Sequence, residues 1–444
     1  MLEGSIADKV LLFAIPLAVT GILQQLFNAA DVAVVGQFAG KDAMAAVGSN
    51  SPIIGLLVNL FIGIGMGANV VASNYTGQKN RRGISHCVHT AVLFALLAGV
   101  FVTLVGEICA GPILRLMGVP ENIFDMALAY LRIYLLGMPV IFLYNFESAL
   151  FRSQGDTRTP LICLIISGSI NVALNIFFVV IVGMAAGGVA LATVIANLVS
   201  SGLLFIMLTK RQDHIRLYPN MLKIHGRELK LMMRIGVPAG VQGMVFSLSN
   251  ILIQSSINSL GSDVIAASSA AFNIEIFCFF ILSAFGQTAT TFIGQNYGAG
   301  NLPRCRKIFK VTLGIDMIAT SLMAILILVF ASNLLGIFNG DPDIIAIGVV
   351  RIRMIVTFEV INVIMECASG AMRGYGFSLV PALITLIGVC GTRIFWVFCV
   401  FSKYSTFAAL MMVYPASWVV TCISLLACYM IFIRKLALRE GSLV

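Results

Sequence analysis

Apolar runs too long for a water-facing fold recur along the whole chain. In the first half they lie near 10–35, 44–75, 88–112, 124–151, 160–182 and 187–208. In the second they lie near 231–259, 264–297, 308–332, 344–371, 379–401 and 406–433. Each exceeds the roughly 20 residues that an α-helix needs to cross the hydrocarbon core. Backbone in hydrocarbon must satisfy its own hydrogen bonds, which leaves helices or closed barrels. Barrel strands alternate apolar and polar residues at every second position, and these runs do not. Charged residues are only 11 % of the 444, against about 25 % in soluble domains. The sequence predicts an all-α integral membrane protein of twelve transmembrane helices with little soluble structure.

The runs fall into two copies of one unit. Slide the sequence along itself until Pro16 meets Pro238. In that register Gly21 meets Gly243, Asn28 meets Asn250, Asn74-Tyr75 meets Asn296-Tyr297, and Gly118 and Pro120 meet Gly340 and Pro342. In the adjacent register, slipped by a single position, Arg152, Gly155 and Pro160 meet Arg373, Gly376 and Pro381. Proline is only 12 of the 444 residues, so three aligned prolines argue for an internal repeat. The longest polar connection, Lys210 to Arg234, separates the copies. The division read from this is an N-lobe at 1–209, a cytoplasmic linker at 210–230 and a C-lobe at 231–444.

Basic residues set the orientation. With the N-terminus inside, the inner segments hold 21 of the 28 lysines and arginines, and the outer loops hold three, Lys41, Arg115 and Lys403. Arg132, Arg351, Arg353 and Arg393 stay in or at the spans. That asymmetry predicts cytoplasmic termini and a cytoplasmic linker. It also accounts for the +9 net charge without a nucleic-acid partner. Six spans per copy return the chain to the same side, so the copies are parallel repeats about an axis along the membrane normal. The N-terminal segment is acidic before it is basic and its apolar run is too long for a cleavable signal.

Several chemistries find no support. The ten cysteines form no CxxC pair, so neither a disulfide framework nor a zinc site is expected. His86-x-x-His89 has metal spacing, with Cys87 between the two histidines but no acid beside them, and reads as a loop end facing the cytoplasm. No phosphate-binding G-x-x-x-x-G-K-[ST] loop, HExxH or GxSxG motif is present. The chain is expected to be no enzyme and to carry no cofactor.

Asp31 then stands out as an acid in a long apolar run. Such residues are costly in lipid and tend to face a cavity or a partner. The alternative is that the helix ends near Gly36 and Asp31 reaches headgroup water. Gln24, Asn28 and Asp31 share a helical stripe at i, i+4, i+7. Asn171 and Asn175 share a face of the fifth run, Thr193 lies in the sixth, and Asn145 and Glu147 lie in the fourth. Each amide alone suits helix–helix hydrogen bonding. Together with one carboxylate they suit a hard cation such as sodium, with Asp31 as its charged ligand, or a proton, since burial disfavours the ionised form.

The second copy carries different charges: Glu275 in the eighth run, Glu359 and Glu366 in the tenth and Arg393 in the eleventh. Two roles are open for Arg393 and these acids, mutual neutralisation and direct contact with a transported compound. Asp316 and Glu107 read as packing or boundary residues.

Four segments resemble the multidrug and toxic compound extrusion (MATE) family: "LFNAADVAVVGQFAGKDAMAAVG", "ALFRSQGDTRTP", "TTFIGQNYGAGN" and "SGAMRGYGFSLVP". The resemblance covers nearly the whole chain. It implies two six-helix lobes around a cleft that alternates its opening. It also implies a secondary antiporter exporting hydrophobic, often cationic organic compounds against sodium ions or protons. The family's N-lobe cation site falls on Asp31, Asn171, Asn175 and Thr193, with Asn175 standing where one branch has a second acid. Gln24, Asn28, Asn145, Glu275, Glu359 and Arg393 are the expected substrate-facing residues. A monomer in the bacterial cytoplasmic membrane is expected. A flippase for a lipid-linked precursor is the alternative, though a more cationic cavity than Arg393 alone would then be expected; a passive channel fits less well, because the two-fold repeat already lies within one chain.

Overall fold

The computed structural model describes residues 1–338 and 340–439, and all regular structure among them is helical. In chain order the α-helices are α1 (Ile6–Phe38), α2 (Gly40–Gly77), α3 (Arg81–Leu116), α4 (Glu121–Leu136), α5 (Met138–Ser153), α6 (Arg158–Ile176), α7 (Ala185–Lys210), α8 (Gly226–Asn258), α9 (Ser262–Gly298) and α10 (Leu302–Val329). They continue as α11 (Ala331–Gly336), α12 (Pro342–Val356), α13 (Glu359–Gly374), α14 (Leu379–Thr385), α15 (Thr392–Phe395), α16 (Phe407–Met411) and α17 (Val413–Arg439). Three π-helical segments, Phe177–Ile181, Leu386–Gly391 and Trp396–Phe401, extend α6 and bracket α15. Glu440 to Val444, the end of the expected C-lobe, lie outside the described residues.

Ten of the described helical stretches are long and apolar enough to cross a membrane, and α4 with α5, bent by 48°, makes an eleventh. The expected tenth run is drawn as α12 and α13, of 15 and 16 residues, each short of the roughly 20 that span hydrocarbon alone. They are interrupted at Thr357 and Phe358, as α4 and α5 are at Gly137. The two breaks coincide in the register that brings Arg152 onto Arg373. Side chains such as Ile108, Leu116 and Ile337 are 78–89 % exposed, the outward apolar surface a lipid solvent demands.

The repeat extends to the backbone. Residues with positive φ recur at Gly40 and Gly261, Lys79 and Gly300, and Gly155 and Gly376, and all three pairs align in that same register. The side chain of Asn80 caps α3 by accepting from Gly83 N at 2.9 Å, and that of Asn301 caps α10 by accepting from Arg304 N at 3.0 Å. A cap and a left-handed residue before it are what a tight inter-helical turn requires.

Packing divides the chain into two compact units, Val19–Gly240 and Met1–Ala18 with Val241–Val444. The expected boundaries at 209 and 231 follow the polar linker, whereas the packing boundaries fall inside α1 and α8. Both crossings lie two residues after a proline, Pro16 or Pro238. A proline removes one rung of the helical ladder, so each helix is free to bend there. Because those prolines align with each other, the crossings are equivalent positions of the repeat.

In the unit Val19–Gly240 the start of α8 packs on α2 backbone to backbone. A Cβ on Gly63 would collide with Gly240, and one on Gly67 with the Met232 carbonyl. Gly63/Gly67 and Gly236/Gly240 are thus paired small-xxx-small stripes, which let membrane helices approach closely. Behind them Phe61 and Phe142 stack at 3.5 Å in a buried cluster with Phe146, Leu131 and Leu204. In the other unit the start of α1 supplies Ile6, Val10, Phe13, Ala14 and Leu17, one helical stripe, to a core with Phe285, Phe292 and Trp418. Phe13 meets Phe292 edge-on at 5.4 Å.

Candidate functional site

Asp31 lies seven residues before the end of α1 at Phe38, so the helix does end near Gly36, as the alternative had it. Its carboxylate is half-buried. Asn175 Nδ2 donates to Oδ1 at 2.5 Å, and Thr193 Oγ1 donates to Oδ2 at 3.3 Å. Asn175 Nδ2 also reaches Asn171 Oδ1 at 3.3 Å, and Asn171 Nδ2 reaches Thr193 Oγ1 at 3.4 Å. Three helices therefore converge: α1 brings the acid, α6 two amides one turn apart, and α7 the hydroxyl. Asn171 and Asn175 are 5 % and 0 % exposed. Asn175 Oδ1 is buried without a hydrogen-bond partner. Among the described residues no lysine, arginine or histidine forms an ion pair with Asp31.

The donors are all oxygen-bearing and only one is an acid. No cluster of three or more His, Cys, Asp or Glu able to hold a metal occurs among the described residues. The orphaned Asn175 oxygen, Asn171 Oδ1, Thr193 Oγ1 and the carboxylate form a set that fits a weakly held hard cation. Two tyrosines of α4, Tyr130 and Tyr134, stack on each other at 6.2 Å. Sequence reading missed them, although their spacing puts both on one face of α4.

The other expected N-half residues are not drawn into this cluster. Gln24 and Asn28 of α1 are exposed. Asn145 Nδ2 is spent on the Ile141 carbonyl at 2.8 Å. Glu147 is fully buried, accepting from Ser201 Oγ at 3.0 Å. His86 and His89 stand in the first turns of α3, not in a loop. His86 stacks on His225 at 3.8 Å, and His89 Nε2 accepts from Tyr218 N at 3.1 Å.

In the second unit Arg393 does not take the first of its two open roles, direct pairing with an acid. Glu275 is engaged by Arg351, with Nη2 to Oε1 at 2.5 Å and Nε to Oε2 at 3.2 Å. Arg351 Nη1 also donates to Ser268 Oγ at 2.6 Å. One signal had pointed this way: Arg351 is among the four basic residues that no loop accounts for. Arg393 instead donates from Nη1 to Asn250 Oδ1 at 2.7 Å and to Ser249 Oγ at 3.4 Å. Both acceptors come from α8, and neither carries a charge. Glu359 is buried and accepts from Asn362 Nδ2 at 3.1 Å. Asp316 accepts from Thr320 Oγ1 at 2.9 Å inside the α10 packing face.

A duplicated, wholly helical membrane unit with an acid tethered among amides is the build of a multi-pass transporter. The MatE family model matches the chain twice, over residues 16–177 and 238–398, and the two matches start at the aligned prolines Pro16 and Pro238. The chain is 30 % identical over 447 residues to the probable multidrug resistance protein YoeA of Bacillus subtilis, covering 98 % of this chain and 95 % of the relative. It is 27 % identical over 395 residues to the probable multidrug resistance protein NorM of Thermotoga maritima, covering 88 % and 84 %. A solved multidrug resistance MATE family transporter in an outward-facing conformation superposes with a TM-score of 0.91 at 20 % identity, covering 98 % of this chain and 97 % of that one. That likeness speaks for the fold. The chain belongs to the MATE family.

Proposed function

We propose that this protein is a cation-coupled antiporter that exports small organic compounds by alternating access, with Asp31 as the coupling residue. The observation that carries the reading is a carboxylate held by neutral donors, with no basic side chain paired to it among the described residues. Membership of the family, and the multidrug resistance names of its relatives, support export of organic compounds, with hydrophobic cations as the substrate class. The coupling ion is sodium or a proton, and no other cofactor is needed. Both termini and the linker face the cytoplasm of a bacterial cell, and one chain suffices.

In the arrangement described, Asn175 N–H and Thr193 O–H solvate the carboxylate. Turning the Asn175 amide by half a rotation would present Oδ1 instead. A donor to the carboxylate then becomes a ligand for a bound cation, or an acceptor for a carboxyl proton. An ion bound in one conformation more tightly than in the other shifts their populations, which is how it drives exchange. Gln24, Asn28, Asn145, Glu275 and Glu359 are retained as substrate-contact candidates.

Asp31→Asn removes the charge at nearly constant shape. Wild-type and variant proteins are reconstituted in vesicles, and efflux of a fluorescent organic cation is followed under separately imposed sodium and pH gradients. The variant is expected to lose gradient-driven efflux while still binding the dye. Export at the wild-type rate, at equal incorporation, would remove Asp31 from the mechanism.

A further inference from the structure

Arg393 offers a binding group that the ion site does not use. It lies on α15, a single α turn between the π segments Leu386–Gly391 and Trp396–Phe401, and its side chain is 0 % exposed. Irregular π turns inside helices gather at functional sites. Two aromatic rings stack against the guanidinium, Phe246 at 4.9 Å and Tyr414 at 4.6 Å from Cζ. Nη1 is held by Asn250 and Ser249 of α8. Nε and Nη2 are buried and have no hydrogen-bond partner.

Those two nitrogens share one edge of the guanidinium, and their N–H bonds run parallel. This edge is the fork that takes both oxygens of a carboxylate. Arg351, in the same unit, shows the fork filled, with Nε and Nη2 on the two oxygens of Glu275. At Arg393 no acid among the described residues stands in that place. A buried cation with three of its five N–H donors unanswered is unfavourable unless an acceptor arrives. The position is also related to the ion site by the repeat. In the register that brings Pro16 onto Pro238, Asn28 meets Asn250; in the adjacent register, which holds from Pro160 to Thr193, Asn171 meets Thr392, the residue before Arg393, and Thr193 meets Tyr414. The second unit therefore carries a fixed cation one residue from the counterpart of an amide that the first holds beside its carboxylate.

We propose that the Nε/Nη2 edge of Arg393 is an oxyanion-recognition site for the carboxylate of an aromatic organic compound carried by this protein. The carboxylate would close the fork and neutralise the guanidinium, and the Phe246 and Tyr414 rings supply a surface for the aromatic body of the ligand. The edge is closed to solvent in the arrangement described, so the ligand enters when the unit opens in another part of the transport cycle. The proposal rests on the export reading above for its substrate class.

The probe is a rhodamine with a free carboxylate, compared with its methyl ester, which keeps the cationic ring system. Each dye is titrated into purified protein in detergent and read by fluorescence anisotropy, for the wild type, Arg393→Lys and Arg393→Gln. Wild-type protein is expected to prefer the carboxylate. Both variants should lose that preference by about tenfold, because lysine keeps a charge but has no planar fork, while ester binding changes by less than about twofold. Benzoate should compete with the carboxylate dye. No wild-type preference, an unchanged preference in a folded variant, equal loss for both dyes, or competition by inorganic phosphate in place of benzoate would each overturn the assignment. Where a variant does not fold, the wild-type comparison and the benzoate competition carry the test. Failure of the export reading would show separately, as absent gradient-driven efflux of the ester from wild-type vesicles, whatever the equilibrium preference.

Discussion

Neutralising Glu275 tests the charge arrangement of the second unit most directly. The Glu275 and Arg351 side chains are 9 % and 4 % exposed, so solvent does little to screen either. Glu275→Gln keeps the shape and one acceptor oxygen, so packing is preserved. One of the two charge-assisted hydrogen bonds is lost, at about 1.5–3 kcal/mol. The guanidinium keeps the one retained acceptor oxygen, the Ser268 hydroxyl and two ring faces. Its neighbour aggravates this: Arg351 and Arg393 both lie over Tyr414, at 5.9 and 4.6 Å, so two cations would then share one ring with no ionised partner. Breaking a buried pair from one side costs about 3–5 kcal/mol in such settings, and the retained acceptor places Glu275→Gln near the lower figure.

Thermal unfolding in detergent, followed by tryptophan fluorescence or loss of the monodisperse peak, is the assay. At about 2–4 °C per kcal/mol for a unit of this size, the midpoint should fall by roughly 10 °C. The double variant Glu275→Leu with Arg351→Met removes both charges, and should return to within about 1 kcal/mol of the wild type, because apolar replacements often match a buried pair. A Glu275→Gln midpoint within about 2 °C of the wild type would refute the reasoning, since roughly 3 kcal/mol cannot hide in so small a shift. So would a double variant that is worse than the single one.

Two further outcomes follow from the backbone and from the charge distribution. Lys79 holds φ 55°, where its repeat counterpart Gly300 holds 72°. Lys79→Gly should raise stability by about 0.5–1 kcal/mol, the relief of a left-handed side chain less the added freedom of glycine when unfolded; a lowered unfolding midpoint would show that the turn is not strained. Cysteines placed at Gly111 and Gly261, in a background without the native cysteines, should react with a membrane-impermeant thiol reagent added outside intact cells, whereas one at Asn220 should not. Labelling of Asn220 would reverse the orientation read from the lysines and arginines.

The repeat was legible because its marks are local. A proline two residues before a crossing, a residue at positive φ, and an asparagine cap are each specified by a few neighbouring residues, so a shift along the sequence finds them. Much of the Asp31 cluster was legible for the same reason. The i, i+4 spacing of Asn171 and Asn175 places both amides on one face of α6, and an acid in an apolar run needs polar company. The partner of Glu275 was not legible. Arg351 and Arg393 both lie far from it in sequence, and only the packing of α12 on α9 decides between them. The unit boundaries were hidden for a related reason. Polarity marks the linker, but the first halves of α1 and α8 carry no mark in their composition that says which unit they join.

The two units keep the same turns but not the same pocket. Turn residues answer to backbone geometry, which any copy of the fold must satisfy, so Asn80 and Asn301 still cap equivalent helices. Pocket residues answer only to what they bind. In the register that brings Pro16 onto Pro238, Asp31 meets Ile253, and the unit that lacks this acid has Arg393 one residue past Thr392, which is the counterpart of Asn171 in the register of Pro160 and Pro381. A carboxylate and a guanidinium on one scaffold cannot both serve the same ion. If both copies once held a cation, the second has replaced an exchangeable charge by a tethered one. The tethered charge is held by α8, the helix that begins in one unit and ends in the other. Asn250, Ser249 and Arg393 all lie in the unit that takes the second part of α8, so a bend at Pro238 leaves the guanidinium with the two groups that hold it.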